Sequence, residues 1–145
     1  MQETATKPTV REQLAALRAA AEKRKQAIDE ETDRIEVEEL TLDEEYSAKL
    51  GTRGRDYEII PTLFGVFAFK KPEELAYKKA SLKITEGKTA DAHIHVHQLL
   101  ATCLLHPSQQ EFGKHMAERP GLGGTLLGAV SKLAGVQEAE RRSKF

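Results

Sequence analysis

Six apolar residues recur along the N-terminal part of the chain: Val10, Leu14, Leu17, Ala21, Ile28 and Ile35, at spacings of 4, 3, 4, 7 and 7. That repeat follows the turn of an α-helix and not the alternation of a strand. It commits this region to one long helix. Thr9-x-x-Glu12 opens it as a capping box. The Thr9 hydroxyl can accept from a free amide of the first turn while Glu12 reaches back. Two positions that would complete the stripe are Arg24 and Glu31, which argues against a dry coiled-coil seam over its second half. The stripe then has two readings. It is the apolar side of an exposed amphipathic helix, or it docks a partner helix through Leu14, Leu17, Ala21 and Ile28.

After the stripe the period changes. Ile35, Val37, Leu40 and Leu42 alternate with a slip at Glu38-Glu39, so this stretch is a first strand or the frayed end of the helix. Gly51 and Gly54 mark a loop over residues 50–56. A short strand follows over residues 56–60, with Pro61 ending it or lying on an edge. Phe64-Gly-Val-Phe-Ala-Phe69 is the clearest strand. Phe67 and Phe69 belong to one face, Val66 and Ala68 to the other.

Pro72 with Glu73 and Glu74 begins a helix that Gly87 stops. Thr89 or Asp91 caps a third helix, which runs to about His106 before Pro107. Ser108-x-x-Glu111 is a second capping box and opens a short helix to Arg119. After Pro120-Gly121, Leu122, Leu126, Val130 and Leu133 recur at spacings of 4, 4 and 3 on a last helix that Gly135 ends. This stripe is core, or a second surface for a partner helix. The expected fold is mainly α with a small antiparallel β unit (α+β). Its parts are a disordered tail (residues 1–8), a helical arm with an acidic segment (9–50), a small domain (51–136) and a polar tail (137–145).

Composition narrows the function classes. The chain has 145 residues and one cysteine, so no intrachain disulfide framework or cysteine-rich zinc site exists. The polar N-terminus and the shortness of the Leu99–Leu105 apolar run lead us to expect neither a secretory signal nor a membrane span. The net charge of −1 gives no general attraction to nucleic acid. Its distribution is uneven. Residues 29–45 carry ten acids against Arg34 alone, and residues 70–88 carry six lysines against three glutamates. The acid run reads as a solvated face, or as a docking surface for a basic partner. Lys70, Lys71, Lys78, Lys79, Lys83 and Lys88 lack an accompanying arginine cluster or nucleic-acid motif.

Catalytic patterns are thin. His93, His95 and His97 form the one candidate metal run. On a strand all three would share a face. On a helix only His93 and His97 do, at i and i+4. Cys103 sits in an apolar helix and reads as a small hydrophobe, not a nucleophile. Gly121-Leu-Gly-Gly-Thr-Leu-Leu-Gly128 resembles a dinucleotide turn, but GxGxxG would place glycine where Leu126 stands. Small residues allowing close helix packing explain it better.

The order of elements over residues 57–136 resembles a known family. FGVFAFKKPEELAYKK (64–79) is a strand, a basic-Pro step and an acidic helix start. HQLLATCLLHPSQQEFGKHMAERPGLGGTLLGAVSKLAG (97–135) is an apolar helix, a Pro, a Ser-capped helix with Phe112, a second Pro break and a final aliphatic helix. This is similar to the tail assembly chaperones of long-tailed bacteriophages. The resemblance implies a non-catalytic protein of the host cytoplasm, without cofactor or metal. Its partners would be the helical tape-measure protein and the tail-tube protein, and it would self-associate. The partner surfaces would be Leu14, Leu17, Ala21 and Ile28, or Leu122, Leu126, Val130 and Leu133. The rival readings are a structural tail or connector component of a virion, and a small metal-binding protein or enzyme built on His93, His95 and His97.

Overall fold

The computed structural model describes residues 7–87 and 91–143, with side chains as far as Gly135. Expectations resting on residues 1–6, Lys88, Thr89, and residues 144–145 lie outside the described residues. Among the described residues, five helices and three strands follow in the order α1 (Val10–Lys49), β1 (Tyr57–Thr62), β2 (Gly65–Lys70), α2 (Glu74–Glu86), α3 (Ala92–Cys103), β3 (Leu104–His106), α4 (Gln109–Glu118) and α5 (Leu122–Ser143). The α+β reading holds, with a long N-terminal helix and a small antiparallel sheet ordered β1-β2-β3. Among the described residues no helix is long and apolar enough to cross a membrane.

The chain divides into two compact units, residues 1–34 and 35–145. The first is helical from Val10 on. Its capping box forms as the sequence requires: Glu12 N–H donates to Thr9 Oγ1 and Thr9 N–H to Glu12 Oε2, both at 3.2 Å.

The second unit begins at Ile35 and not in the 50–56 loop, because the end of α1 is part of its core. Residues 35–42 are helix, which removes the strand alternative. Ile35, Leu42 and Tyr46 are spaced 7 and 4 apart and turn one helical face onto the sheet. There they pack with Tyr57, Ile59, Val66 and Ala68. Phe67 and Phe69 point to the opposite face, into a core shared with Leu99, Leu100, Cys103, Phe112, Leu122, Leu126 and Val130. The alternation along β2 thus divides the unit into two cores, one on each side of a three-stranded sheet.

Three expectations about element ends are corrected. The third helix stops at Cys103, since Leu104–His106 leave the helix to pair with β2, with Phe69 opposite Leu104 and Ala68 opposite His106. Backbone pairing with an existing strand outweighs three more helical residues there. Gly135 does not end the last helix, which continues to Ser143. A single glycine costs a helix only about 1 kcal/mol, which neighbouring turns absorb. Pro72 lies outside α2, whose N-cap is Glu73. Of the second capping box the Ser108 cap forms: Glu111 N–H donates to Ser108 Oγ at 3.3 Å. A cis His106–Pro107 bond carries the chain from β3 toward α4.

Pro61 lies within β1, on the sheet's edge, as a residue without an amide proton must. The same edge is covered at two other positions. Gly54 N–H donates to the Tyr57 carbonyl at 2.7 Å, and Arg53 Nη2 donates to the Ile59 carbonyl at 3.0 Å. Ile59 N–H is taken by the Glu58 carboxylate at 2.9 Å. A covered edge discourages strand addition by another chain.

Candidate functional site

The two apolar stripes have opposite fates. In the first unit, Leu14, Leu17 and Ile28 are 44%, 64% and 63% exposed, and Ala21 is also exposed. No other described residue of the first unit covers them. Their helix is held by its own backbone and by local polar contacts. Thr32 Oγ1 donates to the Ile28 carbonyl at 2.8 Å, and Arg34 pairs with Glu31 at 3.5 Å. Arg24 and Glu31 interrupt the stripe as exposed charges. A helix with this face bare loses the burial that normally stabilises surface helices. Adding an apolar partner would recover about 25 cal/mol for each Å² covered.

In the second unit, Leu122, Leu126, Val130 and Leu133 are buried, with Leu126 and Val130 at 0% exposure. As partner-binding residues these four are corrected: they build the core, so they are unavailable to a partner while the unit is folded. Leu122, Leu126 and Val130 pack against the Phe67 and Phe69 side of the sheet. A continuous i, i+4 stripe without a polar interruption is the pattern of a buried face. The polar interruptions at Arg24 and Glu31 mark the exposed one.

The histidine run lies on a helix, so the three rings do not share a face. His93 and His97 line a cavity between α3 and α4 with Ile94, Gln98, Met116 and Pro120. The His97 ring packs against Phe112 at 5.3 Å. His95 turns toward α2, in a second cavity with Lys79, Lys83 and Thr102. Its Nδ1 is buried without a hydrogen-bond partner. The three-histidine constellation is therefore corrected to a pair. Among the described residues, no three of His, Cys, Asp and Glu converge on a point that could hold a metal ion.

Cys103 is buried, and burial raises its thiol pKa. A thiol held protonated in an apolar core is a poor nucleophile. Of the glycines in residues 121–128, Gly123 alone meets a close neighbour: a Cβ there would lie 2.9 Å from Met116 Cε. The close-packing explanation thus holds at one of four positions, and Gly121, Gly124 and Gly128 have open space beside them.

The acid run is not uniformly solvated. Glu39 pairs with Arg53 at 2.6 Å, Glu38 Oε1 lies 2.8 Å from His106 Nε2, and Asp43 accepts from the Tyr57 hydroxyl at 2.5 Å. These acids fasten the end of α1 to the sheet. Their spacing of 38, 39 and 43, around the buried Leu42 and Tyr46, was the available signal. The basic stretch is partly paired as well, with Lys78 on Glu74 at 3.1 Å.

One surface escaped the sequence reading. Leu63 and Phe64, at the β1–β2 turn, are exposed, and the Arg119 guanidinium stacks 3.7 Å from the Phe64 ring centroid. The expected strand begins at Phe64, whereas β2 begins at Gly65, so Phe64 joins Leu63 in the turn.

Compared with models of protein families, with curated proteins and with solved structures, the chain matches none.

Proposed function

We propose that the chain is a non-enzymatic assembly chaperone whose N-terminal helix binds a long helical partner. The observation that carries this reading is the exposed stripe of Leu14, Leu17, Ala21 and Ile28, on a helix that no other described residue of the first unit covers. An amphipathic face of this kind suits helix-to-helix recognition, with Arg24 and Glu31 selecting against an indiscriminate apolar partner. The resemblance of residues 57–136 to tail assembly chaperones supports a more specific form. The partner is then a phage tape-measure protein, with tail-tube subunits recruited in the host cytoplasm and several copies of the chain acting together.

Affinity capture of the tagged chain from its producing cells, followed by mass spectrometry, tests the reading. Recovery of a long helical protein with tube subunits, and absence of the chain from purified particles, supports it. Presence in stoichiometric amounts in finished particles would instead make the chain a structural tail or connector component. Recovery of the chain alone contradicts both.

A further inference from the structure

We propose that His93 and His97 form a chelating site for a divalent first-row transition-metal cation, independent of the helix-binding surface. The two residues are four apart on α3, so their rings lie on one face one turn from each other. Both line the same open cavity, of about 720 Å³, between α3 and α4. Leu99, Leu100 and Cys103 of α3 reach the core beside the pair, which fixes the rotation of the helix and leaves His93 exposed and His97 half-buried at the margin of the core. Phe112 packs against the His97 ring and restricts it further. Two imidazoles held on one rigid element lose little freedom when a cation joins them, and imidazole suits Zn(II), Ni(II) and Cu(II).

The site supplies two strong protein ligands. Met116 contributes a thioether to the cavity wall, and no third His, Cys, Asp or Glu converges among the described residues. Water or an outside ligand takes the remaining positions. That makes the pair a face for capturing a cation and not a closed structural centre, which would need four protein ligands. His95 has no part in it, because it faces α2.

The test is a titration of the full chain with Zn(II), read by competition with a chromophoric chelator and by the imidazole NMR resonances. The expected result is one Zn(II) per chain, with shifts confined to His93 and His97. Cu(II) should displace Zn(II), following the usual order of divalent affinities. Loss of an outer-shell partner alone weakens metal sites about 10–100-fold, so His93→Ala, which removes a ligand, should weaken binding by roughly tenfold or more. His93 is exposed, so this variant keeps the fold even if His97→Ala does not. His95→Ala should bind as tightly as the unsubstituted chain. Absence of saturable binding, unchanged affinity in His93→Ala, or shifts centred on His95 overturns the proposal.

Discussion

Arg53 and Glu58 close the outer edge of the sheet as a pair: Arg53 Nε donates to Glu58 Oε1 at 2.8 Å, and the same oxygen accepts the Ile59 amide at 2.9 Å. Arg53 Nη2 takes the Ile59 carbonyl and Glu39 of α1 as well. One guanidinium thus covers an edge strand and anchors the end of α1. Arg53→Ala should lower stability by about 1–2 kcal/mol, since these charge-assisted bonds are partly screened at roughly one-third exposure. It should also bare the β1 edge. Urea denaturation and concentration-dependent light scattering read the two effects separately.

The opposite fates of the two leucine stripes can be measured directly. Leu126→Ala, in the core, should cost about 2–5 kcal/mol. Leu14→Ala, on the bare face, should change stability by less than about 0.5 kcal/mol. Equal effects in chemical denaturation would mean that the N-terminal face is covered within the free chain.

Tyr57 should give stability a particular pH dependence. Burial, then the hydrogen bond to Asp43, push its hydroxyl from 10.0 up to about 12. Burial raises the Tyr46 hydroxyl too, followed by the charge of Glu45. A raised value contributes fully below the unfolded-state pKa. Between about pH 10 and 12 the unfolded chain releases a proton that the folded chain still holds, so stability falls as pH rises through that window. Tyr57→Phe should be less stable near neutral pH, having lost the Asp43 bond, and its stability should fall less steeply over the window. Urea midpoints measured across the alkaline range check both.

Gly51 sits at φ +127°, and a Cβ there would meet the Asp56 carboxylate, which accepts from Thr52 N–H at 2.8 Å. Gly51→Ala should therefore combine backbone strain with loss of that turn bond, at about 1–3 kcal/mol. Thermal denaturation against Gly124→Ala, whose Cβ would enter open space, isolates the local cause.

Cys103 should resist thiol reagents in the folded chain and react when urea opens the core. Rapid labelling under native conditions would show that α3 does not pack as described.

Much of this architecture was legible where the signal was local. The Thr9–Glu12 capping box and the Ser108 cap read true, because their partners lie three residues apart. Phe67 and Phe69 separated from Val66 and Ala68 because a strand's period alone assigns them to faces. Misreadings arose where distant residues decide. Leu104 and Leu105 extend an apolar helical run in sequence, yet Phe69 and Ala68 draw this segment into the sheet. Ile35–Leu42 alternates locally, while the helical face that matters includes Tyr46 and is defined by its fit to Tyr57 and Ile59. The candidate site was half legible. Polar interruptions marked the exposed stripe, and the helix expected through the histidine run already pairs His93 with His97, but the cavities that separate this pair from His95 depend on where α4 and α2 pack.

The most direct test of the account is hydrogen–deuterium exchange on the chain, free and in complex with whatever helical protein it captures from its producing cells. The account predicts slower exchange across residues 10–34 in the complex, with Leu122–Leu133 equally protected in both states, and loss of the complex in the Leu14→Asp, Leu17→Asp double variant while the second unit stays folded. Unchanged exchange over residues 10–34, with altered protection at Leu122–Leu133, would place the partner surface on the second unit and contradict it.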